Sequence, residues 1–110
     1  MVVSARYDID IATAAEFRDV VLHAVPNDAS GVVIDLSSIR YVDSAGIRVL
    51  VALAERLRTR RQALRLVLPA AGAVRRIISI AGLEASLGVS DSMDEAMRAL
   101  TAAAGQRPGI

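Results

Sequence analysis

One run, Val32-Val33-Ile34-Asp35-Leu36-Ser37, constrains this chain more than any other. Its β-branched residues follow one another almost without polar alternation. A strand that apolar is covered on both faces, so it belongs in the middle of a sheet between two layers. The rest of the chain supplies those layers. Strand-like stretches alternate with helix-like ones, which points to an α/β fold. Helices placed between strands imply right-handed crossovers and mostly parallel pairing. The expected architecture is a mixed, mostly parallel sheet of about four strands with about four helices. The 110 residues suit one compact domain, residues 1–104. The closing "GQRPGI" (105–110) reads as a flexible C-terminal tail.

The elements follow from pattern and punctuation. "VVSARY" (2–7) reads as a short strand. Thr13 and Glu16 have capping-box spacing, which starts a helix at about Ala14. Phe17, Val20, Val21, Ala24 and Val25 form its inward face, and "PNDASG" (26–31) is the turn that ends it. After the strand at 32–37, a helix begins near Ser44 or Ala45 with Ile47, Leu50, Val51, Ala54 and Leu57 inward. Arg48, Glu55, Arg58 and Arg61 are left largely outward. "LRLVL" (64–68) is the next strand, closed by Pro69. Val74, Ile77, Ile78 and Ala81 define a short helix stopped by Gly82, and "SLGVS" (86–90) is a weak strand. Ser92 and Glu95 repeat the capping-box spacing before a last helix that buries Met93, Ala96, Met97 and Leu100.

Composition then removes whole classes of function. The chain has no cysteine and one histidine, His23, which reads as exposed late on the first helix. Disulfides, thiolate chemistry and multi-histidine or cysteine metal sites are therefore excluded, and no cofactor is expected. Residues are 54% apolar, but arginine interrupts every run before the roughly 20 residues a membrane helix needs. With no signal-peptide pattern at the start, the expectation is a cytoplasmic protein without membrane insertion. Charge is segregated along the chain. Residues 1–43 hold three arginines and seven acids, residues 44–76 eight arginines and one acid, and residues 77–110 two arginines and four acids. A basic middle suits an acidic partner, a phosphate group or simply a solvated helix face. Three aromatic residues, Tyr7, Phe17 and Tyr41, are too few to stack nucleic-acid bases.

The functional question sits in "VDSAG" (42–46), between the best strand and the best helix. In open α/β sheets, sites lie beyond the carboxyl ends of the strands. The first N–H groups of the helix need acceptors, and Asp43 or Ser44 can provide one as a cap. Gly46 removes a side chain where the loop must turn or a partner must approach. A phosphate on Ser44 would meet the partial positive charge of a helix N-terminus. It would change the surface far more than the fold, because a neutral hydroxyl becomes a group of about −1.5 to −2 charge. Spacing alone leaves cap and switch both open. Arg48, one turn on, is either a partner for such a phosphate or for acidic groups, or an ordinary exposed arginine. Catalysis has little to work with. The nucleophile-elbow pattern lacks its first glycine, and there is no P-loop and no lysine. The chain is expected not to be an enzyme.

In order, "YDIDIATAAEFRDVV", "GVVIDLSSIRYVDSAGIRVLVAL" and "LRLVLPAAGAVRRIISIAGLEASLGVSDSMDEAMRAL" resemble the STAS domain family, whose single-domain members include bacterial anti-sigma factor antagonists. The resemblance implies a STAS-like sheet and a partner-switching role in transcription and stress regulation. In such antagonists the serine after the aspartate of the D-S-x-G loop, here Ser44, is phosphorylated by a serine kinase that doubles as the anti-sigma factor. The unphosphorylated form binds that kinase; phosphorylation breaks the complex and a serine phosphatase resets it. The acidic site in the kinase-contact region matches Asp10, with Thr13 beside it. The candidate partner-binding set is therefore Asp10, Thr13, Asp43, Ser44, Ala45, Gly46 and Arg48. The family usually has a further N-terminal strand, here short or absent, which would leave an exposed edge and a possible route to a homodimer. It also favours glycine where Tyr7 stands. Ala45 replaces a second hydroxyl common in the antagonists. Alanine there also occurs in non-switching STAS subunits of bacterial lipid-transport ABC systems, the alternative function.

Overall fold

The computed structural model describes the backbone of residues 1–105 and side chains through residue 102. Residues 106–110, most of the expected tail, lie outside the described residues. Gly105, assigned to that tail from sequence, is instead the last residue of a helix. The elements run β1 (Val2–Ser4), α1 (Ala14–Ala24), β2 (Gly31–Asp35), α2 (Ser44–Thr59), β3 (Ala63–Val67), α3 (Ala73–Ile80), β4 (Val89–Ser90) and α4 (Met93–Gly105). The four strands form one sheet in the order β1-β2-β3-β4. All three pairings are parallel, so the expected mixed component is absent among the described residues.

The apolar run of β2 does what its composition requires. Val32 and Ile34 join the large core under α1, α2 and α3, while Val33 faces α4 with Val67, Ala96 and Leu100. All three β2 side chains are fully buried. The molecule is thus three layers, with α4 alone on one side of the sheet. On the other side α1 contributes Ala14, Phe17 and Val21, and α2 contributes Leu50, Leu53, Ala54 and Leu57. Burying one such leucine stabilises the fold by about 1.5–3 kcal/mol.

Several inward assignments fail at the flanks of helices. Val20 is 46% exposed, Met97 40% and Ile77 36%, whereas Leu53, not assigned inward, is buried. Each helix meets a single neighbouring layer, so its buried stripe is narrow and the flanking apolar positions stay wet. Strand ends differ for a local reason. β1 stops at Ser4 rather than residue 7, because Asp8 turns away to accept N–H groups from the next loop. β2 stops at Asp35, whose Oδ1 accepts from the Ser37 N–H and hydroxyl at 3.0 and 2.6 Å. β4 is two residues long because Leu83–Gly88 is spent on tight turns, with Gly88 at φ 60°. Arg75 pins α3 in place. Its guanidinium donates to Glu84 at 2.8 Å, Asp91 at 2.7 Å and the Leu68 carbonyl at 3.1 Å. The bond from Arg75 holds the Glu84 carboxyl below its ordinary range.

Candidate functional site

The carboxyl ends of β1 and β2 open into two loops, 5–13 and 36–43, that are stitched together. Ile9 and Val42 form an isolated parallel bridge, with Ile9 N–H donating to Tyr41 O and Asp43 N–H to Ile9 O, both at 3.3 Å. Two carboxylates reinforce it reciprocally. Asp8 reaches from the first loop to accept the N–H groups of Arg40 and Tyr41 at 2.9 and 3.1 Å. Asp43 reaches back from the second loop to accept from Ile11 N–H at 3.0 Å.

Asp43 also decides which residue caps α2. Its Oδ1 accepts from Gly46 N–H at 2.9 Å, so Asp43 is the N-cap and Ser44 the first helical residue. These backbone donors, Gly46 first and then Ile11, hold the Asp43 carboxyl below its ordinary range. Ser44 is left exposed, with the helix cap already supplied by its neighbour. Gly46 has a steric duty. A Cβ there would overlap the Ile9 carbonyl oxygen and the Val42 side chain, so only glycine lets the first loop lie against the helix start.

The structure brings six of the seven sequence candidates to this one end. Asp10 Oδ1 accepts from Ala12 and Thr13 N–H at 2.9 and 3.2 Å. Thr13 precedes α1 but makes no side-chain cap, contrary to its capping-box spacing. Its hydroxyl instead donates to Asp8 O at 2.7 Å and accepts from Asp10 N–H at 3.0 Å, which fixes the loop. Ala45 is half-buried against the core. The seventh candidate, Arg48, stands exposed one turn along α2. The second capping-box match is real in part: Ser92 Oγ accepts from Glu95 N–H at 3.2 Å.

Sequence reasoning missed three residues here. Asp8 supplies half of the loop stitching. Ile11 is 82% exposed and Tyr41 51%, which leaves two large side chains open on the two stitched loops. An isoleucine that fits neither a strand nor a helix period was the available signal for Ile11. Among the described residues no helix is long and apolar enough to cross a membrane.

Among the described residues a parallel four-stranded sheet carries the D-S-A-G turn beyond the carboxyl end of β2, with Asp43 capping α2, which makes this an α/β domain with its candidate site at that edge. A family model described as "Mlab, STAS domain" matches residues 1–101, and the chain belongs to the STAS domain family. It is 30% identical over 97 residues to the anti-sigma-F factor antagonist RsfB of Mycobacterium tuberculosis, covering 87% of this chain and 77% of that one. An anti-sigma factor antagonist from Mycobacterium paratuberculosis superposes with a TM-score of 0.78 at 28% identity, covering 91% of this chain and 84% of that one. A sulfate transporter family protein from Wolinella succinogenes shares the fold, with a TM-score of 0.74 at 16% identity over 96% of this chain and 87% of that one.

Proposed function

We propose that the chain is an anti-sigma factor antagonist that binds a kinase-type anti-sigma factor and is released from it by phosphorylation of Ser44. The observation that carries this reading is the division of labour between Asp43 and Ser44. Asp43 caps the helix, so the exposed Ser44 hydroxyl is free of that duty. On the two stitched loops, Ile11 and Tyr41 offer exposed contact area of the kind interfaces use. The two loops hold three carboxylates, Asp8, Asp10 and Asp43, against two arginines, Arg6 and Arg40. A phosphate would add about −1.5 to −2 charge there without touching the core, and burying that against a partner would be costly. The names of the relatives support an anti-sigma factor as the partner, and we propose in addition that this partner is a serine kinase and that a serine phosphatase completes the cycle. The chain acts by binding and has no catalytic role of its own.

Calorimetry with the cognate kinase tests this. Ser44→Ala retains binding, whereas Ser44→Asp folds normally and binds weakly. Normal affinity of Ser44→Asp would count against the switch. Ala45 favours a second reading, a non-switching STAS subunit docked on a lipid-transport ATPase. There, Ser44→Asp and Ser44→Ala would both leave assembly with the transporter intact.

A further inference from the structure

Most of the basic middle of the chain, Arg48 apart, lies away from the Ser44 site. It collects at the opposite end of the domain, where α2 ends and β3 begins, with Arg56, Arg58, Arg60, Arg61 and Arg65 within ten positions. Among the described residues none of these five has a carboxylate within 4.0 Å, whereas Arg18 and Arg75 do. Arg60 is instead bonded to the side chain of Asn27.

At this end lies a cavity of about 220 Å³, lined among others by Arg58, Leu64, Arg65, Ser86 and Gly88. It exists because β4 is so short. Ala63 N–H donates to β2's side of the sheet at Ser30 O, while Leu66 and Leu68 donate to Gly88 O and Ser90 O on the β4 side. The period of two puts the Leu64 N–H on that same β4 side. β4 begins only at Val89, and among the described residues the Leu64 N–H meets no acceptor. Gly88 walls the cavity closely. Its φ is 60°, and a Cβ there would fall 2.5 Å from Leu64 O and 3.1 Å from the Arg65 side chain. Glu55 borders only the adjoining hollow, which shares Arg58 and Ser86.

We propose that this cavity binds a phosphate group, held by Arg58 and Arg65, the Leu64 N–H and the Ser86 hydroxyl. Two guanidinium groups match the roughly −1.5 to −2 charge of a phosphate monoester, and their planar forks suit its oxygens. An unpaired strand N–H and a hydroxyl add neutral donors. The volume admits a phosphate or a small phosphorylated molecule, and no aromatic side chain lines the cavity to stack a base. The site is separate from Ser44, since fourteen helical steps of about 1.5 Å put Arg58 roughly 20 Å along α2.

Amide NMR on the full chain at constant ionic strength tests the proposal, first with inorganic phosphate and then with glycerol 3-phosphate. The expected result is saturable shifts at Leu64, Ser86 and Gly88 that are unchanged in Ser44→Ala. Arg58→Gln or Arg65→Gln weakens binding by about tenfold or more, with the rest of the spectrum preserved. Saturation by phosphate alone identifies the free ion as the ligand; much tighter binding of glycerol 3-phosphate identifies a monoester. Shifts that rise linearly, spread over all arginine-bearing surfaces or survive both arginine variants would overturn the site. If either glutamine variant misfolds, Arg58→Lys, which keeps charge but loses the fork, must still weaken binding.

Discussion

Gly46→Ala tests the joint between the two loops. In a free helix this exchange is favourable, by about 1 kcal/mol. Here the new Cβ would overlap the Ile9 carbonyl and Val42, and the first of these is backbone that no rotamer change can move. Relieving the overlap at a packed site costs about 1–3 kcal/mol. It also pulls Ile9 from its bonds with Tyr41 and Asp43, worth about 1 kcal/mol each. The balance is a net loss of about 2–4 kcal/mol, which lowers Tm by about 10–20 °C in a domain of this size. Urea and thermal unfolding followed by circular dichroism measure both quantities. A Gly46→Ala protein as stable as the parent, or more so, would refute the argument that Gly46 is there for close approach.

Other perturbations separate stability from binding. Phe17→Ala empties a site only 1% exposed and destabilises the domain by about 3–5 kcal/mol in the same unfolding assay. Ile11→Ala leaves stability within about 0.5 kcal/mol of the parent but lowers kinase affinity by more than about 1 kcal/mol, read by calorimetry. The Asp43 and Glu84 carboxyls are depressed in the folded state, so their stabilisation is present above their unfolded pKa, near 4, and is lost as pH falls through the folded value. Asp43→Asn should therefore flatten the loss of stability measured from about pH 4 downward.

Much of the architecture is legible from local pattern. The apolar run at 32–34 announces a strand buried on both faces, and the helix starts at Ala14 and Ser44 follow from their preceding loops. What pattern does not carry is long-range. Thr13 has a capping residue's spacing, yet its hydroxyl is drawn to Asp8 O and Asp10 N–H. That geometry depends on the first loop being held by the second, thirty residues away in sequence. The same holds for Asp8, whose partners are Arg40 and Tyr41, and for the reason Gly46 is glycine. Ser44 is visible in the sequence as a candidate, but that Asp43 and not Ser44 caps α2 shows only in the bond from Gly46 N–H.

The central claim is that Ser44 is a switch, and intact-mass analysis with phosphosite mapping tests it most directly. The chain is purified from its own organism across growth and stress conditions, before and after treatment with a serine phosphatase. The account predicts one phosphatase-sensitive phosphate, at Ser44. A chain that never carries phosphate at Ser44 under any of those conditions would contradict it.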